Sequence, residues 1–407
     1  MKKIALLHYA FPPQIGGVEV LMEQHALLLS EAGHDVKVLT GIGLTQTEPY
    51  KVVVRQELQS ILAQSPELYD RILVEGVRDG EYTLLVARIS SMLEEELADR
   101  EVIIVHNMLT LVHNTPFIEA FSSYIKKYPE KKIIAWVHDH TYIGFDTIRV
   151  EEIKQVPFIH ELLINKLEGV TYIAISEALR SSLTQVMNLS SEEIRVIPNG
   201  LNIKEFLAIG ESIWEVVSTN DLLHAFPLVL APVNILGRKN LEYALDVLHV
   251  MKSEYPEIKM IITGRSSDHR KNDGYEELIR QKVEELGLEE HVVFLYEHIG
   301  RYLDKKEVHD LYQISDIVFN FSKGENFGLP LLEAFVTKTP IVVSSLTVFK
   351  EVGGLDVLMV DVKQPAEATA GEVSSYLANS MVARGFHKAK SVYSLQRILK
   401  DYLLPLL

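Results

Sequence analysis

Four short motifs hold the residues best suited to chemistry. In the clearest of them, Glu325 and Glu333 bracket Asn326-Phe327-Gly328-Leu329-Pro330-Leu331-Leu332. Proline near a helix start is favourable, so a helix is predicted from about Leu329. Glu333 then lies on a largely apolar helix with Ala334-Phe335-Val336 after it. A carboxylate in such a place needs a hydrogen-bonding partner, and a pair of sugar hydroxyls would serve. The main-chain N–H groups of residues 326–328 can face an anion or a sugar oxygen.

The second motif is Arg238-Lys239-Asn240, read as the opening of another helix. Two cations at a helix start oppose its dipole, which is easier to explain if an anion binds there. A diphosphate fits, because arginine offers a bidentate fork and lysine a point charge. A solvated pair of charges is the competing reading. The third motif, Pro12-Pro13-Gln14-Ile15-Gly16-Gly17-Val18-Glu19, joins a strand to a helix. Its paired glycines allow close backbone approach to a phosphate, or simply make a tight turn. It is not a GxGxxG fingerprint. The fourth is His138-Asp139-His140 at the end of an apolar run. It could be a metal pair, a general base, a group lining a cleft, or a structural element. His106-Asn107 ends another run and either lines the same cleft or bonds a neighbouring loop. The chain contains no Asp-x-Asp, the carboxylate arrangement that normally holds the cation in metal-dependent sugar transferases.

The elements that must position these motifs are strands and helices in alternation. Residues 4–8, 36–40, 102–106, 133–138 and 172–175 read as buried parallel strands. Amphipathic stretches such as 18–32 and 116–127 lie between them. After Pro198-Asn199-Gly200 the pattern restarts, with strands at 228–232, 259–263, 292–295, 317–321 and 341–343 and helices at 241–253, 275–286 and 329–337. This predicts an α/β chain of two Rossmann-like domains with a hinge near residue 200. A short helix is expected at 203–207, and the assignment of 206–224 stays open. Ligands in such sheets bind beyond the carboxyl ends of strands, which is where all four motifs fall.

Composition narrows the class of function. The chain has 407 residues, 47% of them hydrophobic, a net charge of −16 and no cysteine. The acidic balance argues against nucleic acid or an anionic membrane as main partner. Disulfides and cysteine-ligated metals are excluded. Lys126, Lys127, Lys131 and Lys132 form the one local basic cluster noted, read as a solvated turn before a strand. The first apolar run is too short for a signal peptide, and no run is long enough to span a membrane, so a cytoplasmic location is expected.

Taken together, the Gly16-Gly17-Val18-Glu19 loop, His138, Pro198-Asn199-Gly200, Arg238-Lys239 and the Glu325…Glu333 element occur in the order that resembles the family 4 retaining glycosyltransferases. The stretch Leu346–Glu351 is also similar. The resemblance spans nearly the whole chain. It implies a GT-B fold, two Rossmann-like domains facing a central cleft. Residues 1–200 would form the acceptor domain, with a tail of about 385–407 packed back on it, and residues 201–384 the donor domain. It implies a retaining transfer from a UDP- or GDP-sugar, with uridine slightly favoured, to an unidentified hydroxyl acceptor (a sugar, a lipid-linked molecule or a small molecule), without metal or other cofactor. His138, Glu325, Lys239 and Arg238 would be the catalytic set. Gly16, Gly17, Asn199, Asn234, Arg238, Lys239, Asn326, Phe327, Gly328, Leu329 and Glu333 would bind the donor, with Glu333 on the ribose and Glu325 on the transferred sugar. Two positions depart from the family pattern. Asn234 stands where an arginine is usual, five residues before Lys239, and Asn326 replaces a glycine. Arg238 is the nearest cation that could compensate. A disaccharide phosphorylase and an inactive sugar-nucleotide binder are the alternatives on the same scaffold.

Overall fold

The computed structural model describes residues 1–14, 16–143, 147–264 and 274–407. Ile15 of the Gly-Gly loop lies outside them. The chain divides into two compact units, residues 1–200 with 395–407, and residues 201–394.

The first unit is built on seven strands: β1 (Lys3–Ala10), β2 (Asp35–Ile42), β3 (Lys51–Val54), β4 (Val102–His106), β5 (Lys132–Val137), β6 (Val170–Ala174) and β7 (Ile194–Val196). Their order is β3-β2-β1-β4-β5-β6-β7, with every adjacent pair parallel. Alternate side chains of one strand go to opposite faces. Ala5 and Leu7 join the layer that holds Ile103, Val105 and Val137, while Ile4 and Leu6 join the layer that holds Ile104, Ile134 and Trp136. Both faces are buried, which is why these strands read as continuous apolar runs. Ile398, Leu403 and Leu406 of the C-terminal segment complete the second layer.

The second unit repeats the plan with β8 (Leu228–Ala231), β9 (Lys259–Ile262), β10 (Val292–Phe294), β11 (Ile317–Asn320), β12 (Ile341–Ser344) and β13 (Leu358–Val360), in the order β10-β9-β8-β11-β12-β13. Again all pairs are parallel. Residues 385–394, expected in the tail of the first unit, belong to this one. Lys390 holds them there: it is fully buried, and its Nζ donates to Asp316 Oδ2 at 2.9 Å and to the Ile314 carbonyl at 3.1 Å.

In both sheets the order runs outward in opposite directions from a central pair, β1/β4 in one and β8/β11 in the other. Crossovers leave such a pair to opposite faces, which opens a crevice at its carboxyl end. The segment left open at 206–224 contains a helix, Glu211–Thr219. The edge strands β3, β7 and β13, three or four residues long, are not among those predicted from sequence. Among the described residues, no helix is long and apolar enough to cross a membrane.

Candidate active-site residues

At the switch point of the first sheet, four histidines and an acid gather. Gly16 caps the helix Gly17–Glu31 in extended conformation. A Cβ at Gly16 would lie 2.2 Å from Glu19 Oε2, so glycine is what lets Glu19 fold back over the turn; at Gly17 there is open space. Glu19 Oε1 is 3.6 Å from Nε2 of His8, the last part of β1. That contact with His8, chiefly, holds the Glu19 carboxyl below its ordinary pKa. His8 Nδ1 donates to the His106 carbonyl at 2.8 Å. His106, at the end of β4, has its Nδ1 3.4 Å from Nε2 of His138.

His138 follows β5 immediately. Its backbone N–H, and that of Asp139, both donate to Oδ1 of Asn107, at 3.0 and 2.8 Å. Asn107 can gather them because it takes a left-handed backbone, φ 55°. Burial pushes the His138 imidazole down to about 4, aided by His8 and opposed by the charge of Glu19. Below it lie His25 and Trp136, with ring centroids 4.7 Å apart, and His106 stacks on Trp136 at 5.7 Å. Burial pushes His25 down to about 3 and His106 well below its ordinary value. Both are therefore neutral near pH 7. Among the described residues, neither ring nitrogen of His25, nor Nε2 of His106, nor Nε1 of Trp136 has a hydrogen-bond partner.

His140 does not share this environment. Its Nδ1 accepts from the Tyr142 N–H at 3.0 Å, so its proton sits on Nε2, which donates to the Leu163 carbonyl at 3.0 Å. With both nitrogens engaged it cannot pair with His138 on a ligand. Among the described residues, no group of three or more His, Cys, Asp or Glu is arranged to hold a metal. Asn199 is exposed on the segment before residue 200. The lysine cluster is tied down: Lys127 pairs with Glu94 at 2.6 Å, and Lys131 donates to the carbonyls of Leu97, Ala98 and Arg100.

At the switch point of the second sheet, the loops after β8 and β11 meet. Arg238 and Lys239 were expected to open a helix. They lie instead in a single 3₁₀ turn, Gly237–Lys239, and the helix Leu241–Lys252 begins only after Asn240, whose φ is 56°. Both cations reach the same acceptor across the gap between the two loops. Lys239 Nζ is 2.6 Å from Glu325 Oε2 and Arg238 Nη1 is 3.6 Å from the same oxygen. Lys239 is nearly buried while Arg238 is half exposed. The Arg238 carbonyl accepts from the Lys323 N–H at 2.7 Å, which clamps the two loops. Burial pushes the Glu325 pKa up, but the Lys239 hydrogen bond, the Asn326 N–H at 3.2 Å and both cations outweigh it and leave the pKa lowered.

Glu333 stands in the second turn of the helix Leu329–Thr337. Its partner in the protein is the Tyr312 hydroxyl, which donates to Oε2 at 2.8 Å. Burial first, then the Glu333 charge, pushes Tyr312 far up, so it remains a donor. Sequence reasoning missed Tyr312, because nothing in its own helix marks it. Gly328 caps the Glu333 helix at φ 92°, where a Cβ would strike the Phe349 ring at 2.7 Å. Phe327 and Leu329 on either side are more than half exposed. Asn234 is exposed after β8 and packs against Gly264, where a Cβ would lie 2.3 Å from its Oδ1.

Comparison with known proteins bears on both units. Residues 221–390 match the family described as glycosyl transferases group 1, and residues 15–205 match glycosyltransferase family 4. An uncharacterized glycosyltransferase of Methanocaldococcus jannaschii is 25% identical over 362 residues, which is 87% of this chain and 81% of that protein. The O-antigen chain mannosyltransferase RfbU of Salmonella typhimurium is 26% identical over 238 residues, 56% of this chain and 60% of its own length. Among solved structures, Anabaena HepE in complex with UDP is similar at 16% identity and a TM-score of 0.36, with 99% of each chain covered.

Proposed function

The chain belongs to the family 4 glycosyltransferases of the GT-B class, and from that premise we propose that it is a retaining, metal-independent enzyme that moves a sugar from a nucleoside diphosphate sugar to a hydroxyl acceptor. The observation that carries this reading is the convergence of Lys239 and Arg238 on one oxygen of Glu325 at the switch point of the second sheet. Two cations and a carboxylate in a crevice suit a donor that carries charged phosphates next to a polar sugar. Lys239 and Arg238 take the diphosphate, with Asn234 and the backbone of residues 326–329 beside it. Glu325 then turns to the transferred sugar, and Glu333 accepts from the ribose hydroxyls. Gly16 and Gly17 approach the phosphates, Asn199 adds a neutral contact, and His138 contacts the sugar.

The chemistry follows from charge. As the bond from the anomeric carbon to the phosphate oxygen breaks, the leaving diphosphate gains negative charge, which Lys239 and Arg238 stabilise. The acceptor hydroxyl attacks the same face and passes its proton to the departing phosphate oxygen. His138 orients the sugar instead of forming a covalent bond to it.

The base is uracil or guanine, and a mannosyl donor deserves the first trial because a relative at 26% identity is named a mannosyltransferase. The deciding experiment is a panel of UDP- and GDP-sugars, scored by donor hydrolysis and by protection against heat, with and without a chelator. Protection and turnover by one donor in the presence of chelator are expected. Activity lost to chelator and restored by manganese would overturn the metal-independent reading, and protection without any turnover would favour an inactive binder.

A further inference from the structure

The histidine cluster of the first unit determines more than the charge of His138. His106 and His138 are both neutral, so the 3.4 Å contact between His106 Nδ1 and His138 Nε2 contains one proton. If His138 donated it, the single proton of His106 would sit on Nε2. That atom is fully buried without a partner among the described residues. A buried N–H with no acceptor costs the full desolvation of a donor, and such orphans are rarer than unpaired acceptors. The opposite arrangement leaves a bare ring nitrogen there, against the faces and edges of His25 and Trp136.

We infer that His106 is a positioning residue: it donates through Nδ1 to Nε2 of His138 and thereby fixes His138 as the Nδ1–H tautomer. The main-chain carbonyl of His106 is itself held by His8 Nδ1 at 2.8 Å, and the His138 backbone by Asn107 at 3.0 Å, so the backbone that carries each ring is fixed. Nδ1 of His138 has no partner among the described residues. The lone pair that a base or nucleophile would need is occupied on Nε2, and the atom left over is an N–H. His138 is then a hydrogen-bond donor to a ligand oxygen, such as a sugar hydroxyl. The last step rests on the proposed transferase reading; the tautomer does not.

The test is nitrogen NMR of protein labelled with ¹⁵N-histidine near pH 7, with His138 assigned by its loss in His138→Gln. Expected are a protonated-type Nδ1 and a bare-type Nε2 for His138 in the wild-type protein. His106→Asn, which keeps an N–H near the same place, should preserve that pattern, and His106→Leu should shift the proton toward Nε2. With a donor that turns over, His106→Leu should lower kcat by roughly tenfold or more with little change in KM, the scale seen when groups that orient a ligating histidine are removed. His106→Asn should restore much of it. A wild-type His138 protonated on Nε2 overturns the inference even if no variant folds, and so does an unchanged tautomer in His106→Leu. Absence of transfer activity with the predicted tautomer present counts only against the transferase reading.

Discussion

Lys239 Nζ and Glu325 Oε2 are 2.6 Å apart although 86 residues separate them in sequence. One lies on the loop after β8 and the other on the loop after β11, the two strands from which the second sheet runs outward in opposite directions. In the unliganded protein each neutralises the other. On the proposed reading a bound diphosphate would compete with Glu325 for the lysine, and the pair would then be divided between phosphate and sugar.

Removing the cations should weaken the diphosphate unequally. Lys239→Ala should lose about 1.5–3 kcal/mol of affinity for a nucleoside diphosphate, the scale of a charge-assisted hydrogen bond. Arg238, half exposed, should lose less, roughly up to 1 kcal/mol as exposed ion pairs do. Titration calorimetry with UDP and GDP checks this. A silent Arg238→Ala would mean that it does not compensate for Asn234, and Asn234→Arg should then tighten binding.

The two glutamates should divide their labour. Glu333→Gln accepts hydrogen bonds less strongly and should weaken the bare nucleoside diphosphate by about 1.5–3 kcal/mol. Glu325→Gln should leave that affinity intact or improved, since it frees Lys239, yet reduce sugar transfer. Equal losses of nucleotide affinity in the two variants would refute the division.

Acid should destabilise the first unit through its neutral histidines. His138 is pushed down to about 4 and His25 to about 3 in the folded protein, against an ordinary value near 6.5. Between roughly pH 6.5 and those values the unfolded chain binds the extra protons, so stability falls as pH falls, by about 1.4 kcal/mol per pH unit for each group. His25→Leu should remove one proton from that slope. Denaturation at a series of pH values measures it, and an unaltered slope would show that His25 titrates normally.

Lys390 and Asp316 form an ion pair with no exposed side-chain surface. Lys390→Met leaves Asp316 charged and buried, and should destabilise the second unit by about 3–5 kcal/mol. Adding Asp316→Asn should recover part of that loss, because the amide still accepts from the Leu228 N–H that Asp316 now holds at 2.8 Å. Urea unfolding of the single and double variants decides whether the residues are coupled.

The sequence by itself determined the parallel α/β plan of both units. Strands buried on both faces are apolar without alternation, and residues such as Ile4–Leu7 and Val229–Leu230 carry that signal locally. It determined the helix at Leu329–Thr337 to the residue, because Gly328 and Pro330 mark its start. It also marked His138, Lys239, Glu325 and Glu333 as candidates, since charged or titratable residues stand out against apolar neighbours. Only tertiary structure decided what each of them touches. Tyr312 reaches Glu333 from another helix, and His8, His106 and His138 come together from three strands. Arg238 and Lys239 share an acceptor because the loop after β11 brings Glu325 against their turn, a meeting of segments 86 residues apart that no local side-chain pattern encodes. Short edge strands such as β13 likewise exist through a neighbour's hydrogen bonds. Periodicity records which face of an element is buried, but the partner across a gap is set by the packing of distant segments, which leaves no mark on the local sequence.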